Sequence, residues 1–330
     1  MISLFKLYSE GILLILLGLT ILLNINILFQ PVIFNLQGYA PITGSLANVL
    51  QNFLNIPKWL YFILYITIQF GSAVYFGSVI TKHKIVNQYN YIPALLFVSI
   101  FALTNSYTFG CATFLMLPIL ILLFDRIFQI ATNDKNMANA FDLGLICGTL
   151  FFSYFPYALL VVFAYFMFII LKPFYWRYWV ASAIGFVCPI LIALIAYAVF
   201  NQTDIFFEYF TSNKSFLYSN SIITTTYLFL HLAVIGTIIG ILYFFSSADH
   251  NKTIPIVRNY LFLIVALAIV LLLFQLIGGL WTMELLIVVY IILTIVLTNF
   301  IIKCKNPLLK NALHALMLVY LIYFQYFSGN

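Results

Sequence analysis

Continuous apolar runs, such as Leu261 to Leu273 and Gly11 to Phe29, constrain this chain more than any other feature. Runs of that kind recur along all 330 residues, 65% of which are hydrophobic and only 7% charged. A typical soluble domain carries roughly 25% charged residues. A water-soluble fold of this length cannot hide so much apolar surface, so the solvent for most of the chain is lipid. In lipid the backbone must satisfy its own hydrogen bonds, which leaves helix bundles and closed barrels. Barrel strands alternate apolar and polar residues over short segments. The runs here do not alternate, and the expectation is an all-α, polytopic transmembrane helix bundle.

Turn residues and charges divide the chain into candidate spans near 11–30, 58–80, 92–104, 109–126, 142–155, 157–171, 179–200, 226–245, 259–277, 284–302 and 312–326. That is about ten or eleven crossings, the first too long for the apolar core of a cleaved signal. The pairs 92–104 with 109–126 and 142–155 with 157–171 read as tight helical hairpins, broken at Asn105-Ser106 and at Ser153-Tyr154-Phe155-Pro156. With the N-terminus in the cytoplasm, Lys6, Lys82, Lys84, Arg126, Lys135, Lys172, Arg177, Lys252, Arg258, Lys303, Lys305 and Lys310 fall inside. Only Lys58 and Lys214 fall outside, so 12 of the 14 basic residues obey the positive-inside rule. The net charge of +6 is thus a topology signal and not a nucleic-acid surface. No linker or internal repeat divides residues 1–330, which read as one integral membrane domain.

Two outer loops are long enough to hold structure. In residues 31–57, Leu46, Val49, Leu50, Phe53 and Leu54 form the stripe of an interfacial amphipathic helix, with Ser45 as its N-cap and Pro57 as its end. Residues 201–224 carry Asp204, Glu208 and Lys214.

Candidate functional groups are few. Asp204 and Glu208 are the acids of an outer loop, four apart and on one face of any helix there; they form either a site or a solvated face. His231 falls in the outer half of the eighth span, where an ionisable group is either functional or a neutral imidazole bonded to a neighbour. Lys172 and Arg177 flank the aromatic cluster Lys172-Pro-Phe-Tyr-Trp-Arg-Tyr-Trp179, an interfacial anchor in which they can also reach lipid phosphates. Asp125 beside Arg126 reads as a local charge pair at a helix end. Glu284 suits a helix N-terminus. Cys111, Cys147, Cys188 and Cys304 read as small apolar packing residues. No metal-ligand spacing and no phosphate-binding loop occurs, so neither a metal nor nucleotide hydrolysis is expected. The absence of a central acid in the spans argues against ion-driven transport.

The layout resembles the large-loop membrane glycosyltransferases that use polyprenyl-phosphate sugars. A cytoplasmic N-terminus, a long first span, an outer loop with an interfacial helix and short hairpinned spans carry the resemblance over roughly the first 200 residues. Those enzymes place an acid in the first outer loop, whereas residues 31–57 contain none. The chain is also similar to a family of uncharacterised polytopic inner-membrane proteins of Bacteroidota. That likeness rests on Met1-Ile-Ser-Leu-Phe-Lys6, Phe141-Asp-Leu-Gly144 and Lys172 to Trp179. The reading is therefore a multi-pass protein of cell-envelope biogenesis with a glycosyltransferase-like architecture, non-catalytic or weakly catalytic, that holds its ligand in an outward-facing cavity. Its expected ligands are membrane lipids, a polyprenyl-phosphate lipid among them, or an envelope protein. Asp204, Glu208, Lys214 and His231 would line an outward cavity, and Lys172 and Arg177 would meet lipid phosphates. The alternatives are an assembly subunit of a membrane complex, then an active transferase of polyprenyl-phosphate sugars, then a transporter.

Overall fold

A computed structural model describes residues 5, 10–25, 58–86, 90–102, 116–132, 137–153, 157–171, 175–204, 206–207, 261–262, 264–271, 283–304, 308, 310–312 and 314–315. The described residues are all helical or turn, with no strand among them. The principal helices are α1 (Glu10–Leu23), α2 (Lys58–Lys82), α3 (Ile92–Ala102), α4 (Leu117–Thr132), α5 (Met137–Ser153), α6 (Ala158–Leu171), α7 (Trp176–Val199) and α8 (Met283–Lys303). Within α2 the stretch Phe62–Lys82, and α7 as a whole, are long and apolar enough to cross a membrane. The interfacial helix expected within 31–57 and the span expected at 226–245 lie outside the described residues.

Local chemistry explains where several helices stop. The Asn24 side chain donates to the Thr20 carbonyl at 2.6 Å, the acceptor that a backbone N–H at position 24 would use in a continuing helix. The Asn24 N–H turns instead to Ile21, and α1 ends at Leu23; the rest of the expected span, 26–30, lies outside the described residues. α2 ends in a Schellman motif: Ile85 N–H reaches the Ile80 carbonyl, Lys84 N–H reaches Thr81, and Lys84 takes φ 54°. α7 ends the same way, with Asn201 at φ 53° and Gln202 N–H on Tyr197. Asparagine tolerates this left-handed conformation and lysine resists it. Exposed Lys84 replaced by glycine is therefore expected to stabilise the protein by about 1 kcal/mol, read as a higher midpoint of thermal unfolding in detergent.

α3 is the hub. It is apolar all round, as a fully surrounded helix must be, and each of its eleven residues is buried. Its one hydroxyl, Ser99, is satisfied within the helix by the Leu95 carbonyl at 2.9 Å. α3 packs on α2, α8 and α1. Phe97 links these partners, lying 5.1 Å from the Phe76 ring and 4.3 Å from Phe101, whose edge meets Tyr290 of α8. Among the described residues α4 packs mainly on α5 and α2; residues 103–115, which would close the expected hairpin of 92–104 with 109–126, lie outside them.

The most extensive contact joins α5 to α7 and not to α6, its neighbour in the chain. The seam is built from Gly144 and Gly148 on α5 and Ser182, Gly185 and Phe186 on α7. A Cβ on Gly144 would overlap the Ser182 carbonyl oxygen, one on Gly185 the Phe141 carbonyl oxygen, and one on Gly148 the Phe186 carbonyl oxygen. Small residues four apart let two helix backbones meet in this way. Gly144 faces Ser182 while Gly148 faces Phe186 and Pro189, so the two helices run parallel. α5 also touches α6, as the expected hairpin of 142–155 with 157–171 requires, and its parallel contact with α7 is added to it.

Candidate functional site: a charged cluster at one end of the bundle

The last turn of α2, the middle of α4 and the first turns of α5 meet in a cluster of charged and amide side chains. Asp125 is 3% exposed. Its Oδ1 accepts from Lys82 Nζ at 3.1 Å and lies 2.7 Å from His83 Nε2, and its Oδ2 accepts from Gln129 Nε2 at 2.7 Å. A carboxylate taken out of water needs partners of this kind on both oxygens. His83 also packs its ring 5.1 Å from Phe128. The Schellman turn puts Lys82 and His83 side by side, so one end of α2 supplies two donors.

Arg126 faces the other way. Its Nη1 donates to Gln129 Oε1 at 3.0 Å and Asn139 Oδ1 at 3.2 Å, and it pairs with Asp142 Oδ2 at 3.2 Å. The expected local pair between Asp125 and Arg126 at a helix end is therefore incorrect. Both lie inside α4, and adjacent helical residues point in different directions. Asp125 ties α4 to α2, and Arg126 ties α4 to α5. Arg126 and Asp142 are each partly exposed, which limits what that pair contributes. Lys82 is half-exposed, whereas His83 and Asp125 are buried together. The His83–Asp125 contact is accordingly the firm core of the cluster, with Lys82 as its solvated flank.

Of the residues singled out from sequence, Arg177 and Asp204 are described. Arg177 is exposed in the first turn of α7, its guanidinium 5.9 Å from the Trp176 ring centre. The parallel seam sets that turn level with the start of α5, hence at the same end as the charged cluster. Asp204 is exposed just beyond the far end of α7, about 36 Å away along a helix of 24 residues. Arg177 and Asp204 therefore cannot share a site. Lys172, Glu208, Lys214 and His231 lie outside the described residues, as does Cys111. Cys147 is buried in the core as expected, and Cys188 and Cys304 are partly buried.

What sequence reasoning missed was the joining of His83 to Asp125, 42 positions apart. One signal was present: the positive-inside rule sets Lys82 and Arg126 at the same membrane face, and His83 and Asp125 are their chain neighbours. Comparison of the chain with protein-family models, with curated proteins and with solved structures finds no match.

Proposed function

We propose that this chain is a multi-pass protein of a bacterial inner membrane, its N-terminus in the cytoplasm, that serves cell-envelope biogenesis by holding a polyprenyl-phosphate lipid or a lipid-linked glycan. The observation that carries this reading is the foot of α7. There an exposed guanidinium, Arg177, stands beside exposed Tyr175 and Trp176 at the start of an apolar helix of membrane-crossing length. Aromatic rings of this kind favour the headgroup level, and a guanidinium binds phosphate with two parallel N–H donors. Lys82, Lys84 and Arg126 lie toward the same end, which supports assigning it to the cytoplasmic face. Binding is favoured over bond-making because Asp125 and Asp142 are engaged in ion pairs.

The test is native mass spectrometry of the protein extracted gently from its own membrane. Wild type is expected to carry a polyprenyl-phosphate mass, and Arg177→Ala to carry about tenfold less, as loss of one charge-assisted contact implies. Equal lipid on both proteins would remove Arg177 from the site. A second reading, an assembly subunit, is favoured by the apolar strip Val180, Ile184, Val187, Leu191 and Ile195 exposed along α7. A stoichiometric protein partner without the lipid would select it.

A further inference from the structure

The middle of α2 holds a second polar locus, away from the charged end. Asn24, where α1 stops, donates from Nδ2 to Gln69 Oε1 at 2.8 Å. Both side chains are completely buried. Gln69 sits at the centre of α2, and Ser72 follows three residues on, on the same face. Neither Gln69 Nε2 nor Ser72 Oγ has a hydrogen-bond partner, though Gln69 is 0% and Ser72 4% exposed. Among the described residues these donor groups find no acceptor.

Depth follows from helix geometry. Lys82 lies about 20 Å along α2 from Gln69, and Lys58 about 17 Å the other way, at 1.5 Å per residue. α1 runs from the charged end, where the Phe5 carbonyl accepts from Tyr91 N–H at the start of α3, to its stop at Asn24. The locus therefore sits at mid-depth beside the C-terminal end of a short helix. A carbonyl-rich helix end repels an anion, and unfilled N–H and O–H donors repel a cation. What they fit is a neutral oxygen with lone pairs and no need to donate.

We propose that Gln69 and Ser72 form a binding site for the carbonyl oxygen of a neutral lipid, either a lipid ester or an isoprenoid quinone. The site does not depend on the phosphate-binding reading of Arg177, because its ligand carries no charge. In this arrangement Asn24 orients the Gln69 amide through its oxygen, leaving Nε2 to donate one N–H to the ligand oxygen. Ser72 supplies the second donor.

The experiment is thermal unfolding of the purified full chain in detergent, titrated with decylubiquinone, with dioleoylglycerol and with squalene as an oxygen-free control. Wild type is expected to show a saturable rise in midpoint with one of the two carbonyl probes and none with squalene. The probe that acts identifies the source of the carbonyl. Ser72→Ala should weaken that effect about tenfold and Gln69→Met with Ser72→Ala should abolish it. Without lipid, Ser72→Ala alone should unfold at or above the wild-type midpoint, because it removes a buried hydroxyl that has no partner, whereas Gln69→Met also takes the acceptor from Asn24 Nδ2. No rise with either carbonyl probe, an equal rise with squalene, or an undiminished rise in Ser72→Ala would each overturn the proposal. Arg177→Ala should leave the carbonyl response unchanged, so its failure to bind phosphate lipid and the failure of this site are separate results.

Discussion

Valine in place of Gly148 is expected to be the most damaging single substitution in the described bundle. Any Cβ there meets the Phe186 carbonyl oxygen and lies 2.6 Å from Pro189 Cγ, so the neighbours that must yield are a helix backbone and a rigid ring. Overpacking a well-filled contact costs about 1–3 kcal/mol, and a clash against backbone belongs at or above the top of that range. We expect Gly148→Val to accumulate poorly in membranes and to unfold well below wild type in detergent. Gly18→Val and Gly71→Val supply the control, because a Cβ at either position meets nothing within 4 Å. They should accumulate normally. Equal loss in all three variants would show that glycine matters here for some reason other than close approach.

The second large effect is expected at Asp125. Asp125→Ala leaves His83 and Gln129 without their acceptor in a buried setting, while half-exposed Lys82 recovers water. Removing one partner of a fully buried ion pair costs about 3–5 kcal/mol; rehydration of Lys82 places this case near about 3 kcal/mol. Lys82→Met should cost less than about 1 kcal/mol. A double-mutant cycle is the decisive measurement, since it isolates each pair. The coupling of Asp125 with His83 should exceed its coupling with Lys82. The reverse order would mean that the ammonium, and not the imidazole, holds α4 against α2.

Much of the secondary structure was legible because apolar runs and turn residues speak locally. The span expected at 58–80 is α2 at Lys58–Lys82, 179–200 is α7 at Trp176–Val199, and 284–302 is α8 at Met283–Lys303. The break in α1 after Leu23 arises because one side chain, Asn24, competes with the backbone for a carbonyl, a contest that hydrophobicity does not register. Partner choice was the harder question. Asp125 and Arg126 are neighbours in the chain, yet on a helix successive side chains diverge by about 100°, so each meets a different helix. The glycines at 144 and 148 were visible as a small-residue pair. Chain order nevertheless favoured α6 as the partner of α5, because a short connection suggests an antiparallel neighbour. Of the candidate site residues, Arg177 and Asp204 are placed at opposite ends of one helix, and Asp125 was read from sequence as the partner of its neighbour Arg126.

The parallel seating of α5 on α7 has a consequence for how the molecule is made. Roughly 46 residues separate the end of α5 from the end of α7, and at about 5–20 residues per second a ribosome needs about 2–9 seconds to supply them. Throughout that interval α5 has been synthesised and its glycine groove has no occupant. The largest contact in the described bundle is thus also a late one in biosynthesis, and any machinery that shields nascent helices must cover this groove for seconds before the chain itself closes it.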